Sequence, residues 1–149
     1  PHKGNDLAIA LLFDMNALFE SYVGNFIKKS FPGTILQHSE KHLIENPKSF
    51  RLRPDIFLES KFIADTKWKI ISQDINESEK KYKISQADLY QLYAYGKKHE
   101  CGKLYLIYPK IDGARQETMN FRYDDEMWLE ILYFDLENDS ENNELIKNY

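Results

Sequence analysis

The run KLYLIYPK, residues 103–110, is almost continuously apolar and is bounded by Cys101-Gly102 before it and Pro109 at its end. A segment this short that offers water no polar face reads as a buried strand, and a buried strand needs cover on both sides of its sheet. Two segments at helical spacing can supply that cover. From Leu7 to Phe31 an apolar stripe of Leu12, Met15, Phe19, Tyr22, Val23, Phe26 and Ile27 predicts a helix that Pro32-Gly33 stops. A second helix is predicted to open at Ser85, with Asp88 in a variant capping box, and to run to Lys98. Between and after them the pattern turns to strands. Residues 34–44 contain a first strand, followed by a turn at Asn46-Pro47; Asp112-Gly113 marks another turn; residues 117–123 and 127–136 are expected to pair with each other. The reading is an α/β domain with a central mixed sheet, helices on its faces and the site at one edge.

At 149 residues, 42% of them hydrophobic and 14% aromatic, the chain is long enough for a single domain with a real core. No run was expected to reach the roughly 20 apolar residues of a membrane span, and no signal pattern opens the chain, so no membrane role and a cytoplasmic location are expected. Pro1 to Asn5 reads as linker or cloning residue ahead of the first helix. Cys101 is the one cysteine, which excludes an internal disulfide and reads as a partly buried thiol. His38 and His42 are four apart, but in a strand-like segment they read as ordinary polar side chains. Residues 72–83, SQDINESEKKYK, read as a solvated loop. The net charge of −4 owes much to an acidic tail over residues 137–149; with Asp135 onward set aside, acids and bases balance. Charge alone therefore gives no support for tight DNA binding. No phosphate-binding glycine loop occurs, which argues against nucleotide hydrolysis by this chain.

The chemistry concentrates in RPDIFLESKFIADTKWK, residues 53–69. Phe50 to Leu58 and Phe62 to Trp68 both alternate as strands do, so Asp65 and Lys67 share a face. A hairpin turning at Glu59, Ser60 and Lys61 would set Asp55 opposite Asp65, with β-carbons about 5 Å apart. Two carboxylates so placed repel, and a divalent cation between them offsets the repulsion while leaving positions for water and phosphate. Lys48, Arg51, Arg53, Lys61, Lys67 and Lys69 are expected to gather around this site. A solvated hairpin face is the competing reading, weakened because Asp65 lies inside the apolar segment FIADTKW.

Pro54-Asp55 followed by Asp65-Thr66-Lys67 resembles the signature of the PD-(D/E)XK nuclease superfamily, with Asp as the second acid where Glu is commoner. Glu20, in FDMNALFESYVGNFIKK, matches an acidic position on the preceding helix, and Gln91 and Tyr95, in QLYAY, match the Gln-x-x-x-Tyr element of RecB-like branches. From spacing alone Glu20 would pass for a surface glutamate. The blocks FDMNALFE, LRPDIFL, ADTKWK and ISQADLYQLYAYG are similar to the catalytic domain of the McrC family, nuclease subunits of methylcytosine-dependent McrBC restriction systems, over residues 13–109.

That resemblance implies a magnesium-dependent DNA endonuclease, with Mn²⁺ able to substitute. Asp55, Asp65, Glu20 and the Thr66 carbonyl would hold the metal. Lys67 would position the attacking water or stabilise the charged phosphate, Gln91 would orient Lys67 or a phosphate, and Tyr95 would pack beside them. It also implies DNA and an McrB-like GTPase ring as partners, the ring engaged through a missing N-terminal region of a longer protein, and it leaves a dimer possible. The alternative is a nuclease-like module without cleavage that binds DNA or docks a partner.

Overall fold

The computed structural model describes residues 2–72 and 83–146. The expected solvated loop falls almost entirely on residues 73–82 and lies outside them. Helix α1 spans His2–Ser30, followed by β1 (Ile35–Leu36), β2 (His42–Glu45), β3 (Lys48–Arg51), β4 (Ile56–Leu58) and β5 (Phe62–Thr66). Helix α2 (Gln86–Lys98), β6 (Lys103–Pro109), β7 (Met119–Arg122), β8 (Trp128–Phe134) and α3 (Asp139–Ile146) complete the order. Six strands form one mixed sheet in the order β1-β4-β5-β6-β8-β7, while β2 and β3 form a separate two-stranded ribbon. This is the mixed α/β architecture anticipated from the sequence.

Strand β6 is central because its alternate residues serve two cores. Leu104, Leu106 and Tyr108 join Ile63, Leu92, Tyr95, Leu129 and Ile131 on the face covered by α2. Tyr105 and Ile107 join Phe19, Val23, Ile27, Phe62 and Phe134 on the face covered by α1. Parallel pairing with β5 and β8 on its two sides explains why the run shows no polar alternation. Strands β7 and β8 pair antiparallel, as their patterns suggested. Helix α1 stops where Pro32 and Gly33 (φ 94°) turn the chain.

Four expectations change. Helix α1 already begins at His2, so Lys3 to Asn5 are helical rather than linker. By length and composition the stretch Lys3–Ser30 is apolar enough to cross a membrane, contrary to the sequence reading. Its C-terminal half is committed to the core through Phe19, Val23 and Ile27, whereas Leu7, Ile9 and Leu11 are exposed. The alternation from Phe50 to Leu58 does not mark one strand: β3 ends at Arg51, and β4 starts at Ile56 in the other sheet. Finally, the acidic tail contains α3. Buried Asn142 anchors that helix by accepting from the Asp135 amide (2.8 Å) and donating to the Asp135 carbonyl (2.7 Å).

Candidate metal site

The β4–β5 hairpin turns at residues 59–61, where Ser60 adopts φ 59° and the Lys61 amide donates to the Leu58 carbonyl at 3.0 Å. Its register pairs Ile56 with Ala64 and Leu58 with Phe62, so Asp55 falls opposite Asp65 one step beyond the ladder. Asp55 itself no longer has strand geometry. Side chains carry the pairing on: the Asp55 amide donates to Asp65 Oδ1 at 2.9 Å, and the Thr66 amide donates to Asp55 Oδ2 at 2.8 Å. The Thr66 hydroxyl adds a 3.2 Å bond to the same Asp55 oxygen. Alternation from Phe57 and Ile63 puts both aspartates on the α2 face of the sheet.

Glu20 reaches this centre from α1 through Gln37. The Gln37 amide donates to Asp55 Oδ1 at 3.1 Å and, closer still, to Glu20 Oε1. Gln37 is held in a left-handed conformation (φ 55°), with its backbone amide on the Asp55 carbonyl at 3.0 Å. Sequence reasoning passed over Gln37, since a lone glutamine in a short connection carries no signal. Lys67 follows β5, its amide bonded to the Ile107 carbonyl at 2.9 Å and its ammonium 3.4 Å from Asp88 Oδ1. The sequence pattern puts Asp88 in a helix cap, but Ser85 makes no side-chain cap bond and the carboxylate faces Lys67 instead. Tyr95 is buried close enough to feel the charge of both aspartates. The Gln91 side chain is exposed and makes no hydrogen bond among the described residues. Lys61, expected beside the site, sits at the hairpin turn, about 13 Å along the strand from Asp65.

Electrostatics set these carboxyls apart. Burial first, and then the charge of Asp55, hold Asp65 well above the ordinary aspartate range, with Lys67 and the Asp55 amide pulling the other way. Burial also raises Asp55, against the bonds from Thr66 and Gln37. Glu20 is raised by burial and by Asp55. Such a cluster accumulates affinity for positive charge. Among the described residues no three His, Cys, Asp or Glu side chains converge closely enough to form a complete metal cage. Two opposed carboxylates are nevertheless the donor set a magnesium ion uses when water fills its remaining positions, and hard oxygens suit that ion. The residues present fit it.

A model of the family described as "McrBC 5-methylcytosine restriction system component" matches residues 1–109. The chain belongs to this family. Everything assigned to the candidate site, from Glu20 through Asp55, Asp65 and Lys67 to Tyr95, falls inside the McrBC match, while β7, β8 and α3 fall outside it. No curated protein gives a significant match. Among solved structures, the fold is similar to a chain in a Thermococcus gammatolerans assembly of McrB AAA+ hexamers with bound McrC, with a TM-score of 0.61 and 14% identity. The alignment covers 85% of this chain and 29% of that one, so the McrBC domain described here spans less than a third of that relative's length.

Proposed function

We propose that this McrBC-family chain carries the cleavage centre of a modification-dependent restriction complex, a magnesium-dependent endonuclease of the PD-(D/E)XK type that hydrolyses DNA phosphodiester bonds. The observation that carries the reading is the register that sets Asp55 against Asp65 at the end of β5, with Lys67 just beyond. Asp55, Asp65 and, from the far side of Gln37, Glu20 would hold the ion, with the Thr66 carbonyl as a further oxygen. The metal would supply an activated water and stabilise the charge that develops on phosphate and leaving oxygen. Lys67 lies on the same side of β5 as Asp65 and offers its ammonium to a phosphate oxygen once Asp88 releases or shares it. Burial of Asp65, with Asp55 half-buried beside it, keeps their field strong by limiting water around them.

An McrB-like GTPase is the proposed partner, since neither the composition nor the charge of this chain favours tight binding to DNA alone. The test is to titrate Mg²⁺ or Mn²⁺ calorimetrically into the wild-type chain and Asp65→Asn, then to assay cleavage of methylated duplex DNA with and without the GTPase. Loss of both ion binding and cleavage in the Asn variant is expected; undiminished cleavage would defeat the proposal. A second reading, a docking module without cleavage, draws on the exposed Leu7, Ile9, Leu11 and Leu18 of α1. Persistent assembly with the GTPase but no cleavage by wild-type protein would favour it.

A further inference from the structure

The β2–β3 ribbon stands outside the main sheet and is built unlike the rest of the fold. Its strands pair antiparallel, with His42 opposite Arg51, Ile44 opposite Ser49 and Glu45 opposite Lys48. Ribbons normally hide one face, but here Leu43, Ile44 and Phe50 are all exposed, Phe50 at 73%. Phe50 also has φ 56°, a conformation that a bulky side chain rarely adopts and that interrupts the alternation of β3. Its ring is thus held out to solvent by an unfavourable backbone, at a cost the packing of this chain does not return.

Charge and position point to what the ribbon meets. Lys41, Lys48, Arg51 and Arg53 are exposed along it, in a chain whose overall balance is acidic. The one acid between Lys41 and Arg53, Glu45, is paired with Lys98 of α2 at 3.1 Å, and Glu40 just ahead of them lies 3.8 Å from His38. Both feet of the ribbon are the candidate site itself: Gln37 precedes it, Asp55 follows it, and the Leu52 amide closes its base on the Lys41 carbonyl at 2.8 Å. Four-residue strands span about 13 Å, with β2 lying beside α2 through Glu45 and Lys98, and a two-stranded ribbon is an element that a DNA major groove admits.

We propose that the β2–β3 ribbon is the DNA-contacting arm of this domain, entering a groove of duplex DNA beside the phosphodiester that is presented to the Asp55 and Asp65 site. Lys48 and Arg51 meet backbone phosphates, and Phe50 makes the apolar contact with base or sugar edges. The inference rests on the nuclease reading for its ligand, but its test does not require cleavage.

The experiment places a photo-crosslinking benzoylphenylalanine at position 50 of the full chain and irradiates it with a 30-base-pair duplex at low salt and in chelator. A covalent DNA adduct that fades as salt rises is expected. In parallel, Lys48→Ala with Arg51→Ala should weaken duplex binding and lower the slope of log affinity against log salt by about 2, roughly one for each lost phosphate contact. Thermal unfolding checks that the doubly substituted chain, altered only at exposed positions, remains folded. An unchanged slope and affinity, or an adduct formed with protein but never with DNA, overturns the proposal. Asp65→Asn separates the two readings: it should retain the adduct while losing cleavage. Wild-type cleavage by the Lys48, Arg51 variant would sink the arm and leave the nuclease standing; an adduct without any cleavage would do the reverse.

Discussion

Removing one charge from the aspartate pair should make the metal-free domain more stable, and the gain should grow with pH. Asp65 is only 5% exposed, and burial and Asp55 hold its proton to a pH well above that at which an unfolded aspartate loses it. Between those two pH values the folded chain binds more protons than the unfolded one. Stability is then full below the unfolded value, near 3.9, and is lost as pH rises through the folded value. Each such proton gives a slope of about 1.4 kcal/mol per pH unit. At this chain length that corresponds to roughly 3–6 °C in Tm per pH unit. Asp65→Asn keeps an oxygen to accept from the Asp55 amide and has no proton to lose, so it should flatten the fall; the slope that remains combines Asp55, Glu20 and Glu130, which are also raised, with His99, Glu45 and Asp124, which are lowered and act with the opposite sign. Saturating Mg²⁺ should restore wild-type stability at high pH, by about 2.7 kcal/mol when the ion is at 100 times its Kd. The assay is thermal unfolding followed by circular dichroism from pH 4 to 8, in chelator and in Mg²⁺. Since buried His99 pulls the other way, the quantity that decides is the difference in Tm between the two proteins: a difference that stays constant or shrinks as pH rises in chelator would refute the reasoning.

Lys67→Ala should leave calorimetric Mg²⁺ binding nearly intact while lowering kcat by about 10²–10³-fold, and Asp88→Asn should have a smaller effect in the same single-turnover assay. Gln91→Ala should change neither quantity by more than a few fold, because its side chain is exposed and unbonded among the described residues. Leu106→Ala, which opens a hole at a fully buried position on central β6, should cost about 2–5 kcal/mol in urea unfolding. Gly102→Ala should also destabilise, since any β-carbon there collides with the Glu126 backbone carbonyl, which cannot swing aside as a side chain would.

The hairpin and its register were legible because three signals agreed: alternation on both strands, a polar turn, and two acids at symmetric distance from Ser60. The buried strand β6 was equally plain. Alternation misled at Leu52 and Pro54, which are buried in step with Ile56 although the chain is passing from the ribbon to the main sheet. Periodicity reports which side is covered and is silent on which sheet does the covering. Gln37, and the pairing of Asp88 with Lys67, were not legible for a different reason. Their contacts with Glu20, Asp55 and Lys67 span 17 to 21 positions and depend on where α1, β5 and α2 converge. Helix α3 was hidden by its acidity, because its anchor is a buried asparagine bonded to backbone rather than an apolar stripe.

Where the β4–β5 ladder runs out, the aspartates take over as its last rungs, each gripping an amide on the opposite strand. Strand pairing and ligand chemistry are therefore the same bonds. An alanine at either position deletes a rung as well as a ligand, so its phenotype mixes a frayed sheet with a lost ion, and asparagine is the cleaner substitution. The same coupling gives the site a silent reporter. Amide exchange at Asp55 and Thr66 reads how firmly the two carboxylates hold their acceptor positions, and it registers an arriving cation in a protein that has not been given DNA, a partner or anything to cut.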